Sequence, residues 1–468
     1  MIDLIGKRIT TVSGTEYLLT EIAGQGAQGA VYKEDSGNYM IKLYFMANEI
    51  QTNSQVNKIN WLLQQSYPER FIMPLEMVKE PYIGYVMKRV KGHFSLNKLL
   101  IPSKELNFSE WYNSYAGGLR RRLYIGYQIA QAFYILHNKY NRAYCDISGN
   151  NILVVADKTK VSVCMIDIDN LYVPGTDKSG IMGTMRYMAP EIANNQMEPD
   201  ILTDDYSLAV ILFELLRAGH PYIGDKISNG SPEMENNAYK GFYPYVDDDD
   251  NDFNRSSQML PDDIVFTTKL RELFKKTFVD GNLNRMDRTT AFEFARACLE
   301  AANLLIKCKF CKSWYYPVDR EGSHSVCPWC ENKNQIPLFL SFRDSCKRWN
   351  NDKSEVEIKS HYSYILRESN NDITDNYIYR DIIDVEIKPY FKIKYKKDNR
   401  KYYLLNPDNN EVWYLKKGTS KPIQIGTVEK QEINHDDRIY FSKLPVSLND
   451  SKYIKGEILR YAIVKEEV

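Results

Sequence analysis

The sequence predicts an α+β protein, and three observations carry that prediction. Residues 17–43 alternate apolar and polar positions around a glycine-rich turn, the pattern of paired strands. The middle of the chain holds long helical patterns, above all Asp204–Leu216, which is apolar on most faces and so belongs at the centre of a helical layer. The C-terminal part returns to short aromatic and β-branched runs between Asn-, Asp- and Gly-rich turns. At 468 residues the chain has the length for two or more cores.

The N-terminal elements come with a chemistry. Gly24-Gln25-Gly26-Ala27-Gln28-Gly29-Ala30-Val31 fits G-x-G-x-x-G-x-V, and Gly24, Gly26 and Gly29 let backbone N–H groups approach phosphate oxygens. A dinucleotide site would need these glycines to open a helix, whereas here they run into a second strand. An ordinary glycine-rich hairpin fits the motif alone equally well. Tyr39–Leu43 is then an apolar strand with one lysine, Lys42, which either snorkels to solvent or serves as a fixed positive charge for phosphates.

Further on, Cys145-Asp146-Ile147-Ser148-Gly149-Asn150-Asn151 precedes the apolar run Ile152–Val155. An Asp and an Asn at this spacing supply a base for a substrate hydroxyl and a carboxamide for a metal ion. The strand 161–166 delivers Asp167-Ile168-Asp169, where Asp167 fits a second metal ligand. Asp169 is either an additional ligand or a solvated loop charge, and the second reading is favoured. Ala189-Pro190-Glu191 follows, then Asp204 at the head of the apolar helix and Arg288 before the helix expected at 289–306.

Taken in order, these elements resemble the eukaryotic-like (Hanks-type) Ser/Thr protein kinases over residues 17–306. The resemblance implies a bilobal protein-kinase fold at 1–306 that uses ATP with Mg²⁺ or Mn²⁺. Asp146 would be the catalytic base, and Asn151 and Asp167 the magnesium ligands. Lys42 would contact the nucleotide phosphates beneath Gly24, Gly26, Gly29 and Val31. Met87 would back the adenine pocket, with Lys88 and Val90 in the hinge. Glu191 would pair with Arg288, Asp204 would brace the catalytic loop, and Thr176, Ser179 and Thr184 would be autophosphorylation sites.

The chain departs from the family pattern at several positions. Cys145 stands where an arginine usually precedes the catalytic Asp, so one loop phosphate has no such cation to pair with. Ser148 replaces a lysine. The helix expected near 53–65 has no acid to pair with Lys42, and Glu49 falls early, so the partner of Lys42 is unassigned. These departures motivate an alternative, a nucleotide-binding pseudokinase or scaffold. His137 reads as structural.

Cys308, Cys311, Cys327 and Cys330 form C-x2-C-x15-C-x2-C, spacing that suits structural Zn²⁺. Two disulfides compete as a reading, but such close pairs staple little and no secretory signal is expected. Cys145, Cys164, Cys298 and Cys346 read as buried small hydrophobes. The expected organisation is a kinase domain at 1–306, a zinc ribbon at 307–340, a linker at 341–360 and a β-rich domain at 361–468. Within the last, Ile433–Phe441 resembles the late half of a forkhead-associated domain. That family's phosphothreonine-binding Arg, Ser and His have no assigned places here.

Lys+Arg and Asp+Glu are both 61, which gives no electrostatic case for nucleic-acid or membrane binding. The longest apolar run falls far short of a transmembrane span, so a cytoplasmic protein is expected. The acidic insert 225–261 reads as a solvated loop. The layout resembles soluble staphylococcal-type kinases that defend against phage by abortive infection. That resemblance implies protein substrates, a phage-derived activator and a homodimer as partners.

Overall fold

The computed structural model describes residues 4–26, 28–45, 49–173, 183–319, 322–323, 325–350, 353–379, 383, 388–441 and 458–466. The chain divides into two compact units. The first comprises 1–106, 132–258 and 276–289, and the second 107–131, 259–275 and 290–468.

The first unit opens with an antiparallel sheet of β1 (Arg8–Thr10), β2 (Glu16–Gln25), β3 (Gly29–Glu34), β4 (Tyr39–Tyr44), β5 (Pro74–Met77) and β6 (Gly84–Lys88), in the order β1-β2-β3-β4-β6-β5. Helix α1 follows β4, spans Glu49–Leu63 and buries Ile59 and Leu62. A small sheet follows of β7 (His93–Ser95), β8 (Ile152–Val155) and β9 (Val163–Met165). Helix Ile201–Arg217 is buried on nearly all faces. Asp200 caps it by accepting from the Thr203 amide, while the Thr203 hydroxyl satisfies the first turn in return. The insert 225–261 is not a plain solvated loop. It holds helices Asp225–Ser228 and Pro232–Tyr239, the second capped by Ser231. Asn254 is fully buried there and bonds the Tyr222 and Pro244 carbonyls and the Gly224 amide.

In the second unit, helix Ala291–Asn303 begins at Thr290 with a capping box to Glu293. The cysteine segment forms two short hairpins, β10 (Ile306–Lys307) with β11 (Trp314–Tyr315) and β12 (Val318–Asp319) with β13 (Gly322–Ser323). The expected linker at 341–360 lies instead in two long strands, β14 (Phe339–Asn350) and β15 (Lys353–Ile365), paired antiparallel. After them come β16 (Asn370–Thr374), β17 (Pro389–Lys396), β18 (Lys401–Leu405), β19 (Trp413–Leu415), β20 (Ile423–Gln424), β21 (Lys430–Ile433), β22 (Arg438–Tyr440) and β23 (Ile458–Lys465). They make a six-stranded sheet, β15-β14-β23-β22-β19-β20, and a four-stranded sheet, β16-β17-β18-β21. Phe342 and Phe391, one from each sheet, both stack on Phe441, so aromatic side chains fill the space between the sheets.

The tail packs on helical segments of the same unit. Arg296 donates to the Asn376 carbonyl at 2.5 Å, Arg367 to the Ala302 carbonyl at 3.3 Å, and Asn376 to the Tyr127 hydroxyl at 3.3 Å. Removing 307–468 would therefore strip partners from a guanidinium and helix faces that are buried in the full chain. We expect a chain ending at Ile306 to unfold at a clearly lower temperature than the full chain, or to aggregate. An unchanged midpoint in thermal unfolding would show that helix Ala291–Asn303 does not depend on the tail.

Candidate phosphotransfer cleft and zinc ribbon

The glycine-rich turn closes the β2–β3 hairpin, with the Gly26 amide on the Gly29 carbonyl at 2.9 Å. Its glycines serve different ends. A Cβ on Gly29 would lie 2.2 Å from the Leu43 carbonyl oxygen, so Gly29 is required by the approach of β3 to β4. A Cβ on Gly24 or Gly26 would meet nothing within 4 Å, so the space beside these two is open. That opening fits a phosphate chain. Behind the turn, Val31, Met40, Met87, Val90, Cys164 and Ile166 belong to one apolar cluster, which suits the flat face of a base. Lys88 is exposed at the end of β6.

Lys42 lies on β4 and is only 6 % exposed. Its ammonium is paired with both Asp167 and Asp169, the latter at 2.5 Å. This corrects the reading of Asp169 as a solvated loop charge. Asp169 sits in the 3-10 turn Ile168–Asn170, is 3 % exposed, and also accepts hydrogen bonds from Tyr44 and, at 2.6 Å, from Tyr85. Burial alone would raise the Asp169 carboxyl. The Lys42 charge and the three hydrogen bonds outweigh it and hold the group below its ordinary value. Burial would likewise lower Lys42, but the two carboxylates carry it above its ordinary value. Asp167 is raised, by burial and by Asp169, against the pull of Lys42. Its backbone is left-handed, with φ 60°.

The catalytic-loop residues converge as follows. Asn151 Nδ2 donates to the Asp146 carbonyl and to Asp146 Oδ2, both at 3.0 Å. Asp146 Oδ1 accepts from the Thr184 amide at 3.1 Å and from the Thr184 hydroxyl at 3.2 Å. Thr176 and Ser179 lie outside the described residues. Asp204 accepts from the Tyr144 amide at 2.5 Å, the Cys145 amide at 2.9 Å and His137 Nε2 at 3.1 Å. Through these bonds it holds the backbone just before Asp146, where Cys145 takes φ 69°. Burial would lower His137, but Asp204 and its hydrogen bond leave the ring raised. The Cys145 thiol is pushed up, first by burial and then by Asp204, which leaves it poorly nucleophilic.

Glu191 and Arg288 form a bidentate pair at 2.7 and 2.8 Å, both largely buried. Arg288 also donates to the Gly281 and Leu202 carbonyls at 3.1 Å. A second ion pair, half-exposed Arg186 with buried Glu214 at 2.5 Å, had no sequence signal. Tyr44 and Tyr85 were missed too, although alternation along a strand puts Tyr44 on the face of Lys42 and Tyr85 on that of Met87.

The four thiols of Cys308, Cys311, Cys327 and Cys330 lie within 4.8 Å of one another. Cys308–Cys330 and Cys311–Cys327 are each 3.6 Å apart, far too long for disulfides. A tetrahedron with Zn–S bonds of about 2.3 Å has edges of roughly 3.8 Å, so zinc fits the set. Burial pushes the Cys308 thiol up, but N–H groups of Cys311 and Phe310 and the Asn334 amide hold it down at about 6. The same thiolate-favouring bonds come to Cys330 from Asn332, which lowers it as well. Cys298 is buried, Cys145 and Cys164 half-buried, and the Cys346 side chain lies outside the described residues.

The purified protein is expected to hold about one zinc per chain at neutral pH and to release it on acidification, as protons compete with the metal for the thiolates. Elemental analysis across a pH series measures this. Absence of zinc at pH 7.5 would contradict it.

Residues 17–301 match the family model described as the protein kinase domain. Over 239 residues the chain is 24% identical to a Mycoplasma genitalium protein named as a serine/threonine-protein kinase, covering 44% of this chain and 58% of that protein. It is 26% identical over 252 residues to serine/threonine-protein kinase SKM1 of Saccharomyces cerevisiae, covering 47% of this chain and 37% of SKM1. It is also 25% identical over 227 residues to AtPK2/AtPK19 of Arabidopsis thaliana, covering 47% and 45%. The chain thus spans less than two thirds of the length of each of these relatives. With the family model covering more than half of its residues, the chain belongs to the protein kinase family.

Proposed function

We propose that this protein is an active, Mg–ATP-dependent serine/threonine protein kinase. The observation that carries the reading is at Asp146. Its Oδ1 accepts the Thr184 hydroxyl at 3.2 Å while its other oxygen is held by Asn151, so the carboxylate is aimed and within reach of a hydroxyl proton. Bound Mg²⁺ would neutralise charge on the transferring phosphate, and Asn151 and Asp167 are the residues to hold it. Mn²⁺ would suit the same oxygen ligands. Lys42 would hold the nucleotide phosphates, Gly24, Gly26 and Gly29 would cover them, and Val31, Met87, Lys88 and Val90 would frame the base. Asp204 braces the backbone before Asp146, and the Glu191–Arg288 pair fixes Glu191 at the end of the segment that follows. Thr184 is the autophosphorylation site that the geometry favours.

Replacing Asp146 by Ala should lower autophosphorylation at least about a hundredfold while leaving ATP affinity close to wild type, because the base acts in the chemical step. Incorporation of labelled phosphate, beside equilibrium ATP binding, tests both halves. Wild-type transfer in Asp146→Ala would refute the assignment. Tight ATP binding by the wild type with no transfer to itself or to generic acceptors would favour a nucleotide-binding scaffold, the reading that Cys145 and Ser148 support.

For physiology we propose a cytoplasmic kinase, with protein substrates, that a phage component releases from restraint in an abortive-infection response. The layout of kinase, four-cysteine ribbon and β-rich tail supports this reading. The charges balance, and no helix among the described residues is long and apolar enough to cross a membrane. The two-sheet tail, which we read as forkhead-associated-like, is the natural place for activator contact or self-association. Phage should plate less efficiently on cells carrying the wild type than on cells carrying Asp146→Ala. Equal plating would remove the defence role and leave the enzyme assignment standing.

A further inference from the structure

The cleft holds one more carboxylate than phosphoryl transfer calls for, and the two are not equivalent. The Asp167 side chain is 35% exposed, whereas that of Asp169 is 4% exposed. Three donors meet on Asp169: the Lys42 ammonium at 2.5 Å, the Tyr85 hydroxyl at 2.6 Å and the Tyr44 hydroxyl. Tyr85 stands directly opposite Lys42 across the β4–β6 pairing, and Tyr44 is two residues along β4. Helix α1, by contrast, offers a single acid, Glu49, in its first turn, where it is exposed.

We propose that Asp169, fixed by Tyr44 and Tyr85, is the residue that positions Lys42 for the nucleotide phosphates, in the role an acid on α1 would otherwise fill. A buried ammonium needs a partner that stays with it. Asp167 is unsuited to that task, because its carboxylate is wanted by the metal. Asp169 has no such second duty, and its own enclosure keeps it where Lys42 can use it. The regulatory consequence is that the lysine's position is set by the 3-10 turn next to Asp167. Displacement of α1 therefore does not disarm the site.

The inference rests on the reading of the cleft as a nucleotide site, and the test separates the two. A double-mutant cycle pairs Asp169→Asn with Lys42→Met, read by equilibrium binding of a fluorescent ATP analogue with Mg²⁺ and by thermal unfolding. Each single variant should bind about tenfold more weakly, and the double variant no more weakly than Lys42→Met, since Asp169 acts only through the lysine. A purely structural role, or direct metal ligation by Asp169, would instead make the losses multiply to about a hundredfold. That result overturns the proposal.

Two further variants guard the cycle. Tyr85→Phe keeps the carboxylate and removes one donor. It should weaken binding about two- to threefold in the wild type and not at all beside Lys42→Met. This arm decides the matter if Asp169→Asn fails to fold. Glu49→Gln should leave affinity unchanged, and a loss equal to that of Asp169→Asn would return the role to α1 and overturn the proposal. In unfolding, the double variant should melt above Lys42→Met, because the buried carboxylate no longer lacks its partner. A wild type that binds no analogue would fell the nucleotide reading and the positioning role together, while that melting difference would still show the ion pair.

Discussion

An ammonium ion enclosed between two carboxylates is the constraint around which the first unit is organised. Lys42 comes from β4, Asp167 and Asp169 from the segment after β9, and Tyr85 from β6. Burying such a group costs far more than a surface contact returns, so the arrangement persists only if every partner arrives together. That requirement ties the long sheet to the segment that carries Asp167 and Asp169. Lys42 and the two carboxylates are thereby placed in one step, from elements distant in sequence.

The same device recurs elsewhere in the first unit. Asp204 receives two backbone amides and His137, which fixes a left-handed turn at Cys145 that an unbraced chain would avoid. Glu191 takes both arms of Arg288, which also donates to the Gly281 and Leu202 carbonyls. Such planar two-bond pairing suits arginine in a way lysine would not match. Burial holds Glu191 up, but Arg288 outweighs it and keeps the carboxyl below its ordinary range. Its contribution is therefore full at neutral pH and fades only as acidification carries the pH down through the folded-state value. The chain lacks the arginine that commonly precedes a catalytic Asp, yet the geometry of Asp146 does not depend on one. Asn151, Thr184 and the Asp204-braced backbone set it instead.

Much of this was legible in the sequence, for physical reasons that differ by element. The glycine turn, the strand lysine and the Asp-to-Asn spacing were readable because each is local. The tail stood out by its short aromatic and β-branched runs, and strands such as Pro389–Lys396, Lys401–Leu405 and Arg438–Tyr440 fall on them. Asp169 was misread because its burial is supplied by Tyr44 and Tyr85, which no spacing rule connects to it. The supposed linker was misread from composition. Lys353, Glu355, Glu357 and Lys359 alternate with Ser354, Val356, Ile358 and Ser360, a period of two that marks a strand despite its charge. Ser231-Pro232 in the acidic insert was likewise a helix start that the surrounding polarity concealed.

The account stands or falls on what Lys42 touches when the cleft is filled. A crystal structure with Mg²⁺ and a non-hydrolysable ATP analogue measures that most directly. It should show the Lys42 ammonium within about 3 Å of both Asp169 and a phosphate oxygen, with Asp167 and Asn151 on the metal. Lys42 paired with Glu49 of α1, or Asp169 turned onto the metal, would contradict it.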